Sequence, residues 1–359
     1  MSETIEKILN TAVHAPSGDN LQPWQFGIKD NRLYIFNIPE KDQSSFNFRQ
    51  LGSCVGHGAL IENISIGASY FGLKTSIKLF PENIDNLVAT IDFDNQPLPK
   101  DELYEYITKR TTNRKPYKNE PLKAEHDTEL TAASRELGFG NVKLIAEPSK
   151  KTELAKIATT SERMIMENKT IHDFLYQHIV WTEKEEAKNR SGLYVKTLEI
   201  SPAQEKGFKI AGNWFLVSIL NKFGFSKKFA NQTVGLYDSS AAIGAVIVEN
   251  NNNLDFVLAG RIMQRLWLKA TKLGLSIQPL TAVLFLHQRI LGQETTELSK
   301  PQIDLIESNY QRMAEIFEVG SKTIGMMFRI GIADKPSAYS SKLPPVIVPE
   351  NKLNEMLKR

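Results

Sequence analysis

Near the start of the chain, apolar residues recur at helical spacing. In "SETIEKILNTAVHA" Ile5, Ile8, Leu9 and Val13 share one side behind Ser2 as N-cap, and the pattern stops at Pro16. "WQFGIKDNRLYIFNI" then predicts two strands about a turn at Asp30-Asn31. Leu60, Ile64, Ala68 and Phe71 return to helical spacing, and Gly72 suits the position just past the helix end. Strands are predicted in "LKTSIKLFP" and "NLVATIDFD", after which the Pro-rich "NQPLPKDE" marks a boundary. Beyond it come a short helix in "DELYEYITKR" and a long helical region from about Thr152 to Lys188. Residues 190–238 carry too little periodicity to assign. "AAIGAVIVEN" has the length of a buried strand, and Leu258, Ile262, Leu266, Ala270 and Leu273 predict a strong helix. "LSIQPLTAVLFL" reads as loop then strand. A last helix runs from about Lys300 to Phe317, and the tail offers a strand followed by an extended Pro/Ser-rich arm.

One pattern occurs twice. The helix ending at Gly72 continues "GLKTSIKLF", and the helix ending at Gly274 continues "GLSIQPLTAVLF". Duplication and chance both account for it, because helix–glycine–strand units are common.

Composition narrows the class without naming a function. The chain has 359 residues, 41% of them hydrophobic and 24% charged, which is ordinary for a globular protein with a sizeable core. A net charge of +3 without a Lys/Arg block gives no argument for nucleic acid. No signal peptide or apolar run of membrane-spanning length is evident, so a cytoplasmic protein without a membrane partner is the expectation. The single cysteine, Cys54, reads as a structural thiol. The six histidines show no metal-ligand spacing, so no metal site is expected. A GxSxG elbow, a P-loop and a strand-linked GxGxxG are all absent.

Three segments could carry chemistry. "APSGDNLQPW" from Ala15 packs small polar residues ahead of a strand. "KRTTNRKPY" sets Lys109, Arg110, Arg114 and Lys115 around two threonines at a helix end. That stretch is either a solvated basic turn complementing the helix dipole or an anion clamp, since guanidinium groups match phosphate oxygens in pairs. "LSIQPLTAV" delivers Gln278, Pro279 and Leu280 before an apolar run, and by itself is a connection.

Together these segments resemble the nitroreductase family of FMN proteins. The motifs that carry the resemblance are "APSGDNLQPW", "RTTNR", "AGRIMQRLWLKATKLGLSIQP" and "SSKLPP". The first is the most specific, and roughly residues 150–240 lie outside them. "APSGDNLQPW" precedes "RTTNR" here, the reverse of the usual order. That order and the longer chain resemble the Acg-type branch, in which two diverged halves are fused into an internal pseudo-dimer. The resemblance implies an α+β fold with mixed or antiparallel sheets flanked by helices. It divides the chain into halves at 1–98 and 99–359, with a possible lid at 152–188 and a C-terminal arm at 326–359.

The resemblance also implies one FMN held between the halves. Arg110, Thr112 and Arg114 would take its phosphate, ribityl and pyrimidine side, and Pro16, Ser17 and Asn20 would line the opposite wall. Gln278, Pro279 and Leu280 match the loop that approaches the isoalloxazine, with a backbone N–H directed at N5. Lys342 matches the basic residue of the arm that binds phosphate. Thr112 stands where Ser is usual and keeps the hydroxyl; Lys342 stands where Arg is usual, keeping the charge and losing the fork. The implied activity is hydride transfer from NAD(P)H through the flavin to a nitroaromatic or quinone, with no catalytic side chain. The alternative is a protein that stores FMN behind a closed lid. A fused pseudo-dimer has buried its family interface, so a monomer is the expectation.

Overall fold

The computed structural model describes residues 2–81, 84–96 and 98–358. The chain opens with α1 (Ser2–Ala12), β1 (Trp24–Lys29), β2 (Arg32–Asn37), α2 (Leu51–Tyr70), β3 (Leu73–Leu79) and β4 (Leu87–Asn95). Helix α1 starts at Ser2 itself and buries Ile5, Ile8, Leu9 and Ala12. Asp30 and Asn31 join β1 to β2 with φ of 49° and 61°. Positive φ at both positions matches the twist of a two-residue hairpin, and short polar side chains tolerate it.

A second series begins with α3 (Ala124–Leu137) and β5 (Asn141–Ile145). A largely helical stretch follows: α4 (Pro148–Ala158), α5 (Thr160–Glu167), α6 (Lys169–His178), β6 (Ile179–Val180), α7 (Glu183–Asn189), β7 (Leu193–Tyr194), α8 (Pro202–Ile210), α9 (Trp214–Asn221) and α10 (Phe225–Asp238). The series then resumes with β8 (Ala242–Val248), α11 (Asn253–Lys272), β9 (Ser276–Pro279), α12 (Ala282–Leu291), α13 (Lys300–Ile316), β10 (Thr323–Gly331) and α14 (Glu350–Met356).

The two four-stranded sheets have the orders β1-β2-β4-β3 and β5-β8-β10-β9. Matching β1 to β5, β2 to β8, β3 to β9 and β4 to β10 turns one order into the other. Every pairing in both sheets is antiparallel, which narrows the mixed-or-antiparallel expectation. A parallel ladder occurs in the short β6–β7 pair. The fold is α+β.

Helices α2 and α11 cross at the centre, and glycine sets their approach. A Cβ on Gly58 would lie 2.0 Å from the Val257 carbonyl oxygen, and one on Gly260 would lie 2.0 Å from that of Val55. The contact is the same read in either direction, as at a two-fold interface. Gly72 and Gly274, which close the two helices, have φ of 74° and 73°. The same number of residues separates Val55 from Val257, Gly58 from Gly260 and Gly72 from Gly274. Beside the crossing, fully buried Glu62 accepts from Arg261 Nε at 3.0 Å and Arg265 Nε at 2.6 Å, and Asn63 accepts from Gln264 at 2.7 Å.

Some expectations change. "TAVLFL" is helical within α12, not a strand. Its short apolar run buries Val283, Leu284, Phe285 and Leu286 together, and such a run has no distinguishing period. The long helix is broken, for Asn168 caps α6 by accepting from the Ile171 N–H, and His178 leads into β6. "DELYEYITKR" forms only a 3-10 turn over Glu102–Tyr106. Residues 326–331 lie within β10, so the extended arm begins after Gly331. That arm runs to the other sheet and pairs with β1, where Phe26 N–H donates to Val346 O at 2.9 Å and Val348 N–H to Phe26 O at 2.8 Å. Cys54 is buried, which pushes its thiol up to about 12 and keeps it protonated.

Candidate functional site

Two cations from distant parts of the chain converge on one turn. Arg110 follows the 3-10 turn, its N–H bonded to Tyr106 O at 2.9 Å. Its guanidinium donates from Nη2 to His14 O at 2.8 Å, lies 4.5 Å from the centre of the Trp267 ring, and is 8% exposed. Lys342, on the arm, donates to Ala15 O at 3.0 Å and to Asn20 Oδ1 at 2.7 Å. The two therefore hold consecutive carbonyls just ahead of Pro16.

No carboxylate pairs with either cation among the described residues. Burial brings Arg110 down to about 10. Burial first, and then the charge of Arg110, bring Lys342 down to about 7, partly offset by Glu186. Lys342 is half-buried. His14 is lowered by burial, Lys342 and Arg110 in that order. Arg110 Nε is buried without a hydrogen-bond partner. Buried like charges and an unpaired donor are costly in a free protein. A phosphate would satisfy both, so these donors fit the phosphate end of FMN.

The loop from Pro16 to Gln22 is held in an unusual shape. Asp19, Asn20 and Gln22 have φ of 43°, 59° and 52°, a region that side chains other than Gly enter under local compensation. Ser17 Oγ accepts from the Gln22 N–H at 3.0 Å. The Gln22 amide donates to Asn20 O at 3.1 Å and to Arg190 O at 2.8 Å, and accepts from Leu343 N–H at 2.8 Å. Asn20 Nδ2 donates to Ser341 O at 3.0 Å. Pro16 turns its carbonyl toward Gly56, where a Cβ would lie 3.4 Å away. Burial and then Asp42 raise the Asp19 carboxyl to about 6, while Arg114 opposes the rise.

The remaining basic-stretch residues lie against β9. Thr112 bridges Ile277, and Asn113 N–H donates to Ile277 O at 3.0 Å. Arg114 donates to Thr197 O at 3.1 Å; burial lowers it and Asp19 pulls it back up. Gln278 accepts from Arg329 Nε at 2.8 Å, and Pro279 faces Phe328 across the ladder. The Leu280 N–H donates to Met327 O at 2.8 Å. Gln278 and Pro279 lie in β9, where a loop was expected, and the Leu280 N–H is engaged by the sheet.

Pro16, Ser17, Asn20, Arg110 and Lys342 are thus brought into one cluster. Arg114 is coupled to it through Asp19, and Thr112 stands beside β9. The sequence reading missed the segment that lies over this cluster, residues 186–199. Ser191 donates to Asn20 O at 3.3 Å, Glu186 accepts from Ser341 N–H at 2.5 Å, and Glu199 accepts from Ser337 N–H at 2.6 Å and its hydroxyl at 2.7 Å. The contacts with the loop and arm come mostly from beyond the suggested lid at 152–188. Gln22 was visible inside "NLQPW" but was not given a role.

No family model matches the chain. It is 25% identical over 97% of its length to an uncharacterized protein of Mycobacterium tuberculosis, of which the match covers 48%. The chain spans about half the length of that relative. It is 24% identical over 99% of its length to a protein of the same organism named "Putative NAD(P)H nitroreductase", covering 91% of it. Among solved structures, a "putative nitroreductase" from Anabaena variabilis matches with a TM-score of 0.42 and 9% identity over 92% of this chain and 88% of the other. Along almost its whole length, the chain is a distant relative of a protein named for NAD(P)H-dependent nitro reduction.

Proposed function

We propose that the chain is an FMN-dependent oxidoreductase that takes hydride from NAD(P)H and reduces a nitroaromatic or quinone. The observation that carries this reading is the convergence of buried Arg110 and half-buried Lys342, with an unpaired donor on Arg110 and no carboxylate paired with either among the described residues. The distant relative's name supports the reaction class. Bound FMN supplies the two-electron relay between nicotinamide and acceptor. Arg110 and Lys342 hold its phosphate, and Lys342 does so as a charged ammonium that the anion restores. Thr112 and Arg114 serve the ribityl and pyrimidine side; Pro16, Ser17 and Asn20 form the facing wall. The repeated sheet order and the reciprocal glycine contact support two fused halves, 1–98 and 99–359, in a monomeric pseudo-dimer.

The purified protein with FMN is tested by anaerobic addition of NADH or NADPH. Bleaching of the flavin, followed by turnover of a quinone or nitro acceptor, is the expected result. FMN that binds but is never bleached overturns the enzymatic reading. It favours the second one, storage of FMN, for which the hydrogen bonds of residues 186–199 across the Asn20 loop are the supporting observation.

A further inference from the structure

Helix α9 and the turn after it present an apolar face that is left exposed among the described residues. Phe215, Leu216, Ile219, Leu220 and Phe223 recur at one-turn spacing and are exposed, Phe215 at 69% and Phe223 at 85%. Ile210, at the end of α8 just ahead of α9 in the chain, is likewise exposed at 63%. The inner side of α9 is anchored, so exposure is a fixed property of the helix. Val217 is fully buried, the Trp214 ring meets His172 edge-on at 5.1 Å, and Asn221 donates to the Met166 carbonyl. Scattered single apolar residues need no explanation, but a contiguous patch on an anchored helix does.

Charge identifies the occupant. Lys206, Lys209, Lys222, Lys227 and Lys228 flank these residues along the chain, and all are exposed. The sole acid from Pro202 to Phe229 is Glu205, which Lys196 holds at 3.0 Å. A second copy of the chain would set lysines against lysines around the apolar contact. A surface that is both apolar in depth and anionic at its rim satisfies the two features together. Interfacial helices with aromatic residues beneath a lysine collar bind lipid in this way.

We propose that α9 and its flanks form a docking face for an anionic membrane surface. The chain rests on the headgroups with the two phenylalanines inserted, and does not cross the bilayer. No described helix is long and apolar enough to cross. This departs from the expectation of no membrane partner, which rested on the lack of a spanning run. It is independent of the flavin reading.

Flotation of the full chain with phosphatidylcholine vesicles, with and without roughly one third phosphatidylglycerol, tests it. Binding is expected to the anionic vesicles, and to fall at least about tenfold in ~0.5 M salt. Phe215→Ser with Phe223→Ser, and separately Lys222→Glu with Lys227→Glu and Lys228→Glu, should each reduce it at least about tenfold. The lysine variant touches only exposed side chains, and an unchanged thermal midpoint shows that it folds. Equal partition to neutral vesicles, or none to either, overturns the proposal. So does a concentration-dependent dimer that the phenylalanine changes abolish.

Discussion

At Lys342 the ordinary lysine value near 10.4 falls to about 7, because protein and the Arg110 charge surround the ammonium. Between these two values the unfolded chain carries the extra proton. Stability of the ligand-free protein therefore rises as pH increases through that window, and the penalty is fully present below it. Binding a phosphate needs the ammonium, so near pH 8 FMN binding should take up close to one proton. Calorimetry in two buffers of different ionisation enthalpy measures this uptake; identical heats would contradict it. Arg110→Ala and Lys342→Ala each remove a charge-assisted contact of about 1.5–3 kcal/mol, so FMN should bind about 10- to 100-fold more weakly by fluorescence titration. Retained affinity in both variants would remove phosphate from this site.

Helices α2 and α11 approach through Gly58 and Gly260, and the obstacle to a side chain there is backbone, which cannot rotate away. Gly58→Ala and Gly260→Ala should each cost about 3 kcal/mol in urea unfolding, similar to one another because the contact is reciprocal. A loss below about 0.5 kcal/mol in either would contradict the crossing. The elements around this crossing were legible in the sequence, since α11 carries a helical period, α2 shows one at Leu60, Ile64 and Ala68, and both are followed by a left-handed glycine. Residues 186–199 were not. Their structure comes from hydrogen bonds to Asn20, Gln22 and Ser341, partners more than a hundred residues away, and no local period announces such bonds. That Gln278 and Pro279 lie in a strand was not legible for a related reason. A motif gives residue types, whereas the strand opposite, at Met327, decides where the N–H goes.

Across the whole molecule, the cluster is assembled from residues 14–22, from Arg110 and from Lys342, which the arm carries back to β1. In the proposed pseudo-dimer the central contact is made within the chain and leaves no such face for a partner. Sedimentation of the protein without lipid should give a monomer at micromolar concentration, and a stable dimer would contradict that account. The central claim is that Arg110 and Lys342, neither paired with a carboxylate among the described residues, recognise the phosphate of FMN. Riboflavin differs from FMN in lacking that phosphate, so their dissociation constants compared on the same protein test it most directly. FMN is predicted to bind at least about 100-fold more tightly, with the gap collapsing in Arg110→Ala and Lys342→Ala. Equal affinity for the two flavins, or a gap that survives both substitutions, would contradict it.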